Sequence, residues 1–349
     1  MSASITDLRH SDLQPWDAFV QSHPLGRCRV TSAAEPWWSR IAYQLHRLAA
    51  GTGDRVEAGL ALAVKRISVT PWSVARIVAL MPNAQDVGGS TAALLAEAER
   101  AARAERSLEI DFDCWAPLDF DLGGIRYAEP VVQALQHAGY APVGEARGTY
   151  LVRIDRDDEA LLGSFSSKAR RDARKGLREG VVVRRLETLD ELRLFSDTHE
   201  QMRQRKTEVY LDEFPLDVSQ PLFERGQFRL FGAEYDGRIR NMALTDALGV
   251  PQYIRGAVSE AAFEPGVPPT GQPLHLGIMK HFREQGAPCY DLGGAPGAEP
   301  QPGHPHYTVW RFKQEFGGVY VQLLPRYRRS VGVWGRVALA AARRLLKKQ

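Results

Sequence analysis

One order of elements occurs twice along this chain, and it limits the fold more than any composition figure. The first fifty residues mix helical signals with "PWW", where Trp37 and Trp38 belong to a helix and a core, or else face a ligand. Two strand-like runs follow, "EAGLALAVKRIS" and "SVARIVALMP", joined by a turn at "VTPW". "STAALLAEAERAARAERS" then predicts a helix, with a Ser/Thr start and its charges on one side. "LEIDFDCW" alternates as a strand, and "VVQALQHAGYAPV" gives a helix, a Gly stop and a strand entry. The same order returns after residue 147. "GTYLVRI" is a strand, "DEALLGSFSSKARRDARKGLREG" helical and basic, "VVVRRLE" a strand and "LDELRLFSDTHEQMRQRK" a helix. "QFRLFGAEYDGRIRNMALTDALGVPQYIRGAV" reads as three strands with turns at Asp236-Gly237 and Gly249-Val250-Pro251. "LHLGIMKHFREQG" is a helix, and "CYDLGG" a strand ending in a glycine pair.

Each half thus runs helices, strand meander, helix, strand, with no short fixed-period repeat. Two acyltransferase-type α+β units in tandem give this order. A split Rossmann pair is the competitor, but neither GxGxxG after a first strand nor a P-loop occurs. The 349 residues suffice for two cores. The net charge is only +3, from 45 Lys and Arg against 42 Asp and Glu, so what matters is where charge is placed. Cys28, Cys114 and Cys289 lie far apart without CxxC spacing, and no HExxH occurs. Buried, inert thiols are expected, rather than a disulfide or metal site. The opening "MSASITDLRHSDLQPW" has no apolar core segment, and no apolar run approaches about 18 residues. A cytoplasmic protein is expected.

Three stretches carry chemistry. Residues 166–185, "SSKARRDARKGLREGVVVRR", hold eight Lys or Arg against two acids. On a helix, Lys168, Arg171, Lys175 and Arg178 share a face, which Asp172 and Glu179 are not expected to neutralise. The face is either solvated or a cradle for phosphates. "CYDLGGAPG" ends a strand in glycines, which allows close backbone approach or simply a tight turn. "WRFKQEFGGVYVQ" (310–322) reads as a strand-like run with Lys313 between Phe312 and Phe316, broken by Gly317 and Gly318. An amine in such surroundings is costly unless an anion meets it. A loop rich in Pro, Gly and His precedes it, as at the border of a substrate cleft.

The succession "SSKARRDARKGLREGV", "CYDLGG", "VWRFKQEFGG" resembles the FemABX family of peptidyltransferases. "YDLGG" (290–294) and "FKQEFGG" (312–318) resemble its two most recognisable strand-end motifs, and "KARRDARKG" before "GVVV" its basic helix and following strand. "GTYLVRIDRDDEALLGSFSSKARR" is similar to the usual entry into the second domain. The likeness covers about residues 148–325 well and the first 147 loosely. It implies an α+β fold of two tandem GNAT-like domains, 1–147 completed by 319–349, and 148–318, in the compact form without a coiled-coil arm. It also implies a non-ribosomal aminoacyltransferase. Such an enzyme moves an amino acid from aminoacyl-tRNA to an amine on the stem peptide of a UDP- or lipid-linked cell-wall precursor. No cofactor is implied beyond aminoacyl-tRNA as co-substrate, and a monomer is expected.

On that resemblance Lys313 stabilises the oxyanion of aminolysis; the structural alternative pairs it with Asp291. Substrate contacts fall to Phe312, Phe316, Gly317, Gly318, Tyr290, Asp291, Gly293 and Gly294, to Lys168, Arg171, Arg174 and Lys175, and to Trp38. For the general base, Asp111 and Asp113 on the "LEIDFDCW" strand and His304 and His306 in the loop stay open. The C-terminal "VGVWGRVALAAARRLLKKQ" carries an apolar stripe (Trp334, Val337, Ala341, Leu345) beside Arg336, Arg343, Arg344, Lys347 and Lys348. It either meets the inner membrane surface, offers cations to tRNA or packs on its own domain. "ALMPNAQDVGG" stands where the family often has Gly-Pro, so an acceptor outside peptidoglycan, a secondary metabolite or a lipid, stays open. A CoA-dependent N-acyltransferase would need a glycine-rich pyrophosphate loop, which "RKGLREG" and "EPGVPPTGQPLH" match poorly. A non-catalytic binding module for tRNA or anionic lipid would leave "YDLGG" and "FKQEFGG" unexplained.

Overall fold

A computed structural model describes residues 5–9, 12–52, 55–118, 121–122, 125–144, 147–205, 212–295, 300–303, 307–333, 335 and 337. The chain divides into two units, residues 1–146 with 322–349, and residues 147–321. In the first unit β1 (Ile5–Asp7), α1 (Gln14–Ser22) and α2 (Glu35–Arg40) precede a meander of β2 (Gln44–Thr52), β3 (Arg55–Arg66) and β4 (Ser73–Met81). Helix α3 (Val87–Ala104) crosses to β5 (Ser107–Phe112), and α4 (Ala128–His137) leads to β6 (Ala141–Val143). In the second unit β7 (Gly148–Arg153), α5 (Asp158–Ser164), α6 (Ser167–Arg178), β8 (Val182–Leu186), α7 (Leu189–Arg205) and α8 (Leu216–Glu224) come first. The meander is β9 (Phe228–Tyr235), β10 (Arg238–Asp246) and β11 (Gln252–Val258). Then α9 (Gly271–Glu284) crosses to β12 (Cys289–Ala295), and α10 (Tyr307–Glu315) leads to β13 (Val319–Gln322). Strand β14 (Arg326–Ser330) returns to the first unit.

The two seven-stranded sheets have matching orders. They run β1-β2-β3-β4-β5-β14-β6 and β13-β7-β12-β11-β10-β9-β8. Each meander is antiparallel, and each crossover helix makes one parallel pair, β4 with β5 and β11 with β12. In both sheets a strand from elsewhere in the sequence enters between the last two. Strand β14 lies between β5 and β6, and β7 between β12 and β13. This doubled mixed sheet flanked by helices is a tandem GNAT-like fold. The second core joins Tyr150, Val152, Phe165, Ala169, Ala173, Phe231, Leu274, Ile278, Met279, Phe282, Tyr290, Leu292 and Phe316. Among the described residues no helix is long and apolar enough to cross a membrane. All three cysteines are buried, as expected.

Several local expectations are corrected. Strand β2 lies inside the stretch read as helical; it pairs along its length with β3. Arg47 in its middle hides the strand pattern. The side chain is 1% exposed and donates to Val30 O at 2.9 Å and Thr31 O at 2.8 Å, so a charged residue fills an interior position. The basic stretch is two helices. Phe165 turns into the core with extended backbone, and Ser166 then caps α6, its Oγ accepting from Ala169 N at 3.2 Å. Helix α8 is not expected from the sequence; Pro215 sits at its N-cap and Pro221 lies inside it. Of "WRFKQEFGGVYVQ", expected as a strand-like run, "WRFKQE" belongs to helix α10 and only "VYVQ" forms a strand, β13.

Helix α10 stops at Gly317, whose φ is +70°. A Cβ there would lie 2.3 Å from the Ser164 carbonyl oxygen at the end of α5. The position therefore needs glycine twice over, for its dihedral and for the space. Gly317→Ala is expected to destabilise the fold by roughly 2–4 kcal/mol, read from the midpoint of urea unfolding. An unchanged midpoint would show that α5 gives way freely.

Candidate functional site

The site grows from the parallel pair at the centre of the second sheet. Strands β11 and β12 are seven residues each, yet only Gln252 pairs with Asp291. Beyond that point no further ladder pairing of the two strands occurs among the described residues. Unpaired edge backbone of this kind can take up a peptide-like guest. Past the same point β12 also bulges against β7, between Asp291 and Gly294.

Asp291 organises the bulge. Its side chain is completely buried. It accepts hydrogen bonds from Thr149 Oγ1, from Gln252 Nε2 at 2.7 Å and from the backbone N–H of Gly293 at 2.7 Å. The last bond bends the chain back, with Gly293 at φ +84°. The carbonyls of Gly293 and Gly294 are thereby turned toward α10. Lys313 Nζ donates to Gly293 O at 2.8 Å and to Gly294 O.

Lys313 is 5% exposed. Burial pushes its ammonium down to about 8, and the Asp291 carboxylate holds it up against that. Two of its three N–H groups have acceptors among the described residues. The third can donate to an oxygen carried by a guest. The expected pairing with Asp291 is thus electrostatic, while the direct hydrogen bonds go to glycine carbonyls. Phe312 is half-buried on the same helix, 5.1 Å between centroids from His275. His275 also meets Tyr253 at 5.0 Å and Phe316 at 4.9 Å. Complete burial drives the His275 ring down to about 3, so it stays neutral there.

Helix α6 lies against this arrangement. Ala169, Ala173 and Gly176 form its buried stripe. A Cβ on Gly176 would meet Pro269 O at 2.4 Å, so α6 is pressed against the entry to α9. Ser166 N donates to Glu315 O at 2.9 Å, which ties α6 to the end of α10. Lys168, Arg171, Arg174 and Lys175 are all exposed. The expectation that Asp172 leaves this face unneutralised is half right. Asp172 pairs with Lys168 at 3.2 Å and reaches Arg171 at 3.8 Å, and Glu315 lies 3.6 Å from Lys168. Arg174 and Lys175 have no carboxylate within ion-pair reach among the described residues.

Other expected residues sit elsewhere. Arg328 grips both carboxylate oxygens of Asp111, at 2.6 and 3.1 Å, across the β5–β14 pair of the first unit. Both oxygens of Asp111 are engaged in that pair, in the first unit, whereas Lys313 belongs to the second. Trp38 fills the first core, 8% exposed, with Nε1 donating to Arg29 O at 2.6 Å. Tyr290 and Phe316 are core residues with no exposed surface, so neither meets a substrate directly. Gly318 is packed under Tyr150 and Leu292. His304 and His306 lie outside the described residues, as does nearly all of the C-terminal basic segment. Thr149, Gln252, Tyr253 and His275 went unnoticed; each is an ordinary strand or helix residue until the fold gathers them.

Comparison with known proteins fits this geometry. A family model for an acetyltransferase (GNAT) domain matches residues 163–307. The lipid II:glycine glycyltransferase of Staphylococcus aureus is 23% identical, over 88% of this chain and 89% of that protein. The crystal structure of FemX superposes with a TM-score of 0.79 at 20% identity, covering 93% of this chain and 96% of that one. The C-terminal domain of a putative lysylphosphatidylglycerol synthetase from Agrobacterium fabrum gives 0.54 at 16% identity, covering 94% and 96%. Fold and matches together define an enzyme of aminoacyl transfer on a tandem GNAT-type scaffold. Within that class, the chain is similar in these matches to proteins of the FemX type.

Proposed function

We propose that this protein moves an amino acid from aminoacyl-tRNA to an amine on the stem peptide of a peptidoglycan precursor. The observation that carries the reading is the buried ammonium of Lys313, with one N–H lacking an acceptor among the described residues, at the end of the β11–β12 ladder. The S. aureus relative, whose name pairs lipid II with glycine, supports a lipid-linked acceptor. The exposed cations of α6 support a donor rich in phosphate. No cofactor enters, and the protein works as a monomer.

In the reaction the acceptor amine attacks the ester carbonyl of the aminoacyl group. A tetrahedral oxyanion forms, and the ester C–O bond then breaks. The amine gives up a proton and the ribose hydroxyl gains one. Lys313 donates its free N–H to the oxyanion, where negative charge is greater than in the ester. Phe312 and the neutral His275 keep the surroundings apolar, which strengthens that interaction. Gly293 and Gly294 fix the ammonium from behind.

A screen of radiolabelled aminoacyl-tRNAs against UDP- and lipid-linked precursors tests the reading. Turnover with acetyl-CoA and none with aminoacyl-tRNA would overturn the donor. Neutralising Lys168, Arg171 and Lys175 to Gln together is expected to weaken tRNA binding. The slope of log affinity against log salt should shrink by about 2–3, roughly 0.7–0.9 for each of the three phosphates that are no longer neutralised. An unchanged slope would leave this face merely solvated.

A further inference from the structure

The first unit carries an apolar tip that its own core does not use. The β3–β4 hairpin turns through Ile67-Ser68-Val69-Thr70-Pro71-Trp72. It is firmly built: Ile67 N donates to Trp72 O at 2.9 Å, Thr70 N to Ile67 O at 3.2 Å and Trp72 N to Thr70 Oγ1 at 3.2 Å. Yet Ile67 is 37% and Val69 106% exposed. Val69 also holds φ +57°, a region that branched side chains rarely enter. An apolar, strained, fully exposed residue on a rigid turn serves no internal packing.

The rim of the same sheet end is basic. Lys65, Arg66 and Arg106 are exposed. The carboxylates near them are engaged: Glu105 by Arg9 at 2.9 Å, with Arg66 at 3.7 Å, and Glu109 by Arg328 at 3.6 Å. Among the described residues Lys65 and Arg106 have no ion-pair partner. The C-terminal segment starts at this end too. Arg66 pairs with Ser73, Ser73 with Ser107, and Val331 N donates to Leu108 O. Three strand spacings of about 4.8 Å separate Arg66 from Val331, roughly 15 Å in all. There Val333 and Val337, four apart on helical backbone, are 63% and 52% exposed. The sequence beyond adds Arg343, Arg344, Lys347 and Lys348 and no acid.

We infer that this end of the first unit is a docking face for an anionic lipid bilayer, with the β3–β4 tip as its apolar anchor and the surrounding Lys and Arg as its charge contact. Apolar side chains projecting from a basic rim suit the interface between headgroups and acyl chains. The inference goes beyond the transfer reaction and stands without it; joined to it, the face holds the enzyme where a lipid-linked acceptor would lie.

The test uses the full chain carrying Val69→Cys. The native cysteines are buried, so an environment-sensitive fluorophore goes to position 69. Vesicles of phosphatidylglycerol with phosphatidylcholine should shift the emission to the blue and pellet the protein, and phosphatidylcholine alone should do neither. Arg66→Glu with Arg106→Glu should lower partition about twentyfold or more. Ile67→Ser with Val69→Ser should lower it about tenfold or more. All these variants should turn over a water-soluble acceptor at the unaltered rate. No blue shift while the protein still pellets, equal binding to neutral vesicles, or a response to tRNA alone would overturn the inference. Vesicle binding without transfer by any aminoacyl-tRNA would sink the proposed reaction and leave the docking face standing.

Discussion

Lys313→Met is expected to slow aminoacyl transfer by about 10²–10³ while leaving the melting temperature near its original value. Methionine keeps the length of the side chain and its fit beside Phe312. The missing donation to Gly293 and Gly294 is offset by no longer burying a charge. The pH dependence separates a role in chemistry from one in packing. With the ammonium pushed down to about 8, the fraction able to stabilise an oxyanion falls as pH rises past that value. The unaltered enzyme should therefore lose activity about tenfold per pH unit well above 8, and the variant should not show that limb. Stability carries the opposite sign. The folded ammonium titrates below its ordinary 10.5, so between about 8 and 10.5 the unfolded chain binds more proton. Unfolding free energy should rise across that window, by roughly 3 kcal/mol from this group, and Lys313→Met should flatten the rise. An unchanged rate beside a collapsed melting temperature would make the lysine structural.

That lysine also marks how far the sequence could be read. The doubled element order was legible because the meanders and crossover helices have clean periodicity. "SVARIVALMP" and "STAALLAEAERAARAERS" became β4 and α3 with end shifts of a few residues. "WRFKQEFGG" was misread because its aromatics imitate a strand and a lysine breaks its apolar pattern. The doubled order held the correction. "VVQALQHAG" in the first half occupies the same place, a helix, a positive-φ glycine and a strand at the sheet's far edge. Gly139 and Gly317 end α4 and α10 alike, at φ +77° and +70°. Comparing the halves would have turned a strand-like run into a helix.

The motif residues were legible in identity and less so in role. "YDLGG" was picked out as a place of close approach. Its Tyr290 is pure core, its Asp291 accepts from Thr149, Gln252 and Gly293, and its glycines serve the lysine. Nothing in a linear sequence pairs Thr149 with Asp291, 142 residues apart, because the insertion of β7 between β12 and β13 brings them together. The ion pair of Asp111 was hidden for a similar reason. Its partner Arg328 arrives on the strand that returns from the far end of the chain.

The second large effect is expected at Asp291. Asp291→Ala should destabilise the fold by about 3–5 kcal/mol. It strands the donors of Thr149, Gln252 and Gly293, and leaves a buried ammonium without its counter-charge. Such a change bears on folding as much as on chemistry, so Asp291→Asn is the sharper probe. The amide keeps the volume and an acceptor for Gly293 N–H, yet removes the charge. Asp291 raises the Lys313 value against burial, so its neutralisation should move the alkaline limb of the rate below 8. A carboxylate that only braced the bulge would leave that limb where it is. The double variant completes the measurement. If the two groups act through each other, Asp291→Asn with Lys313→Met should cost less than the sum of the single changes, by about 1 kcal/mol or more. Strict additivity, with the limb fixed near 8, would show that the glycine carbonyls alone hold the ammonium and that the buried acid serves only the backbone.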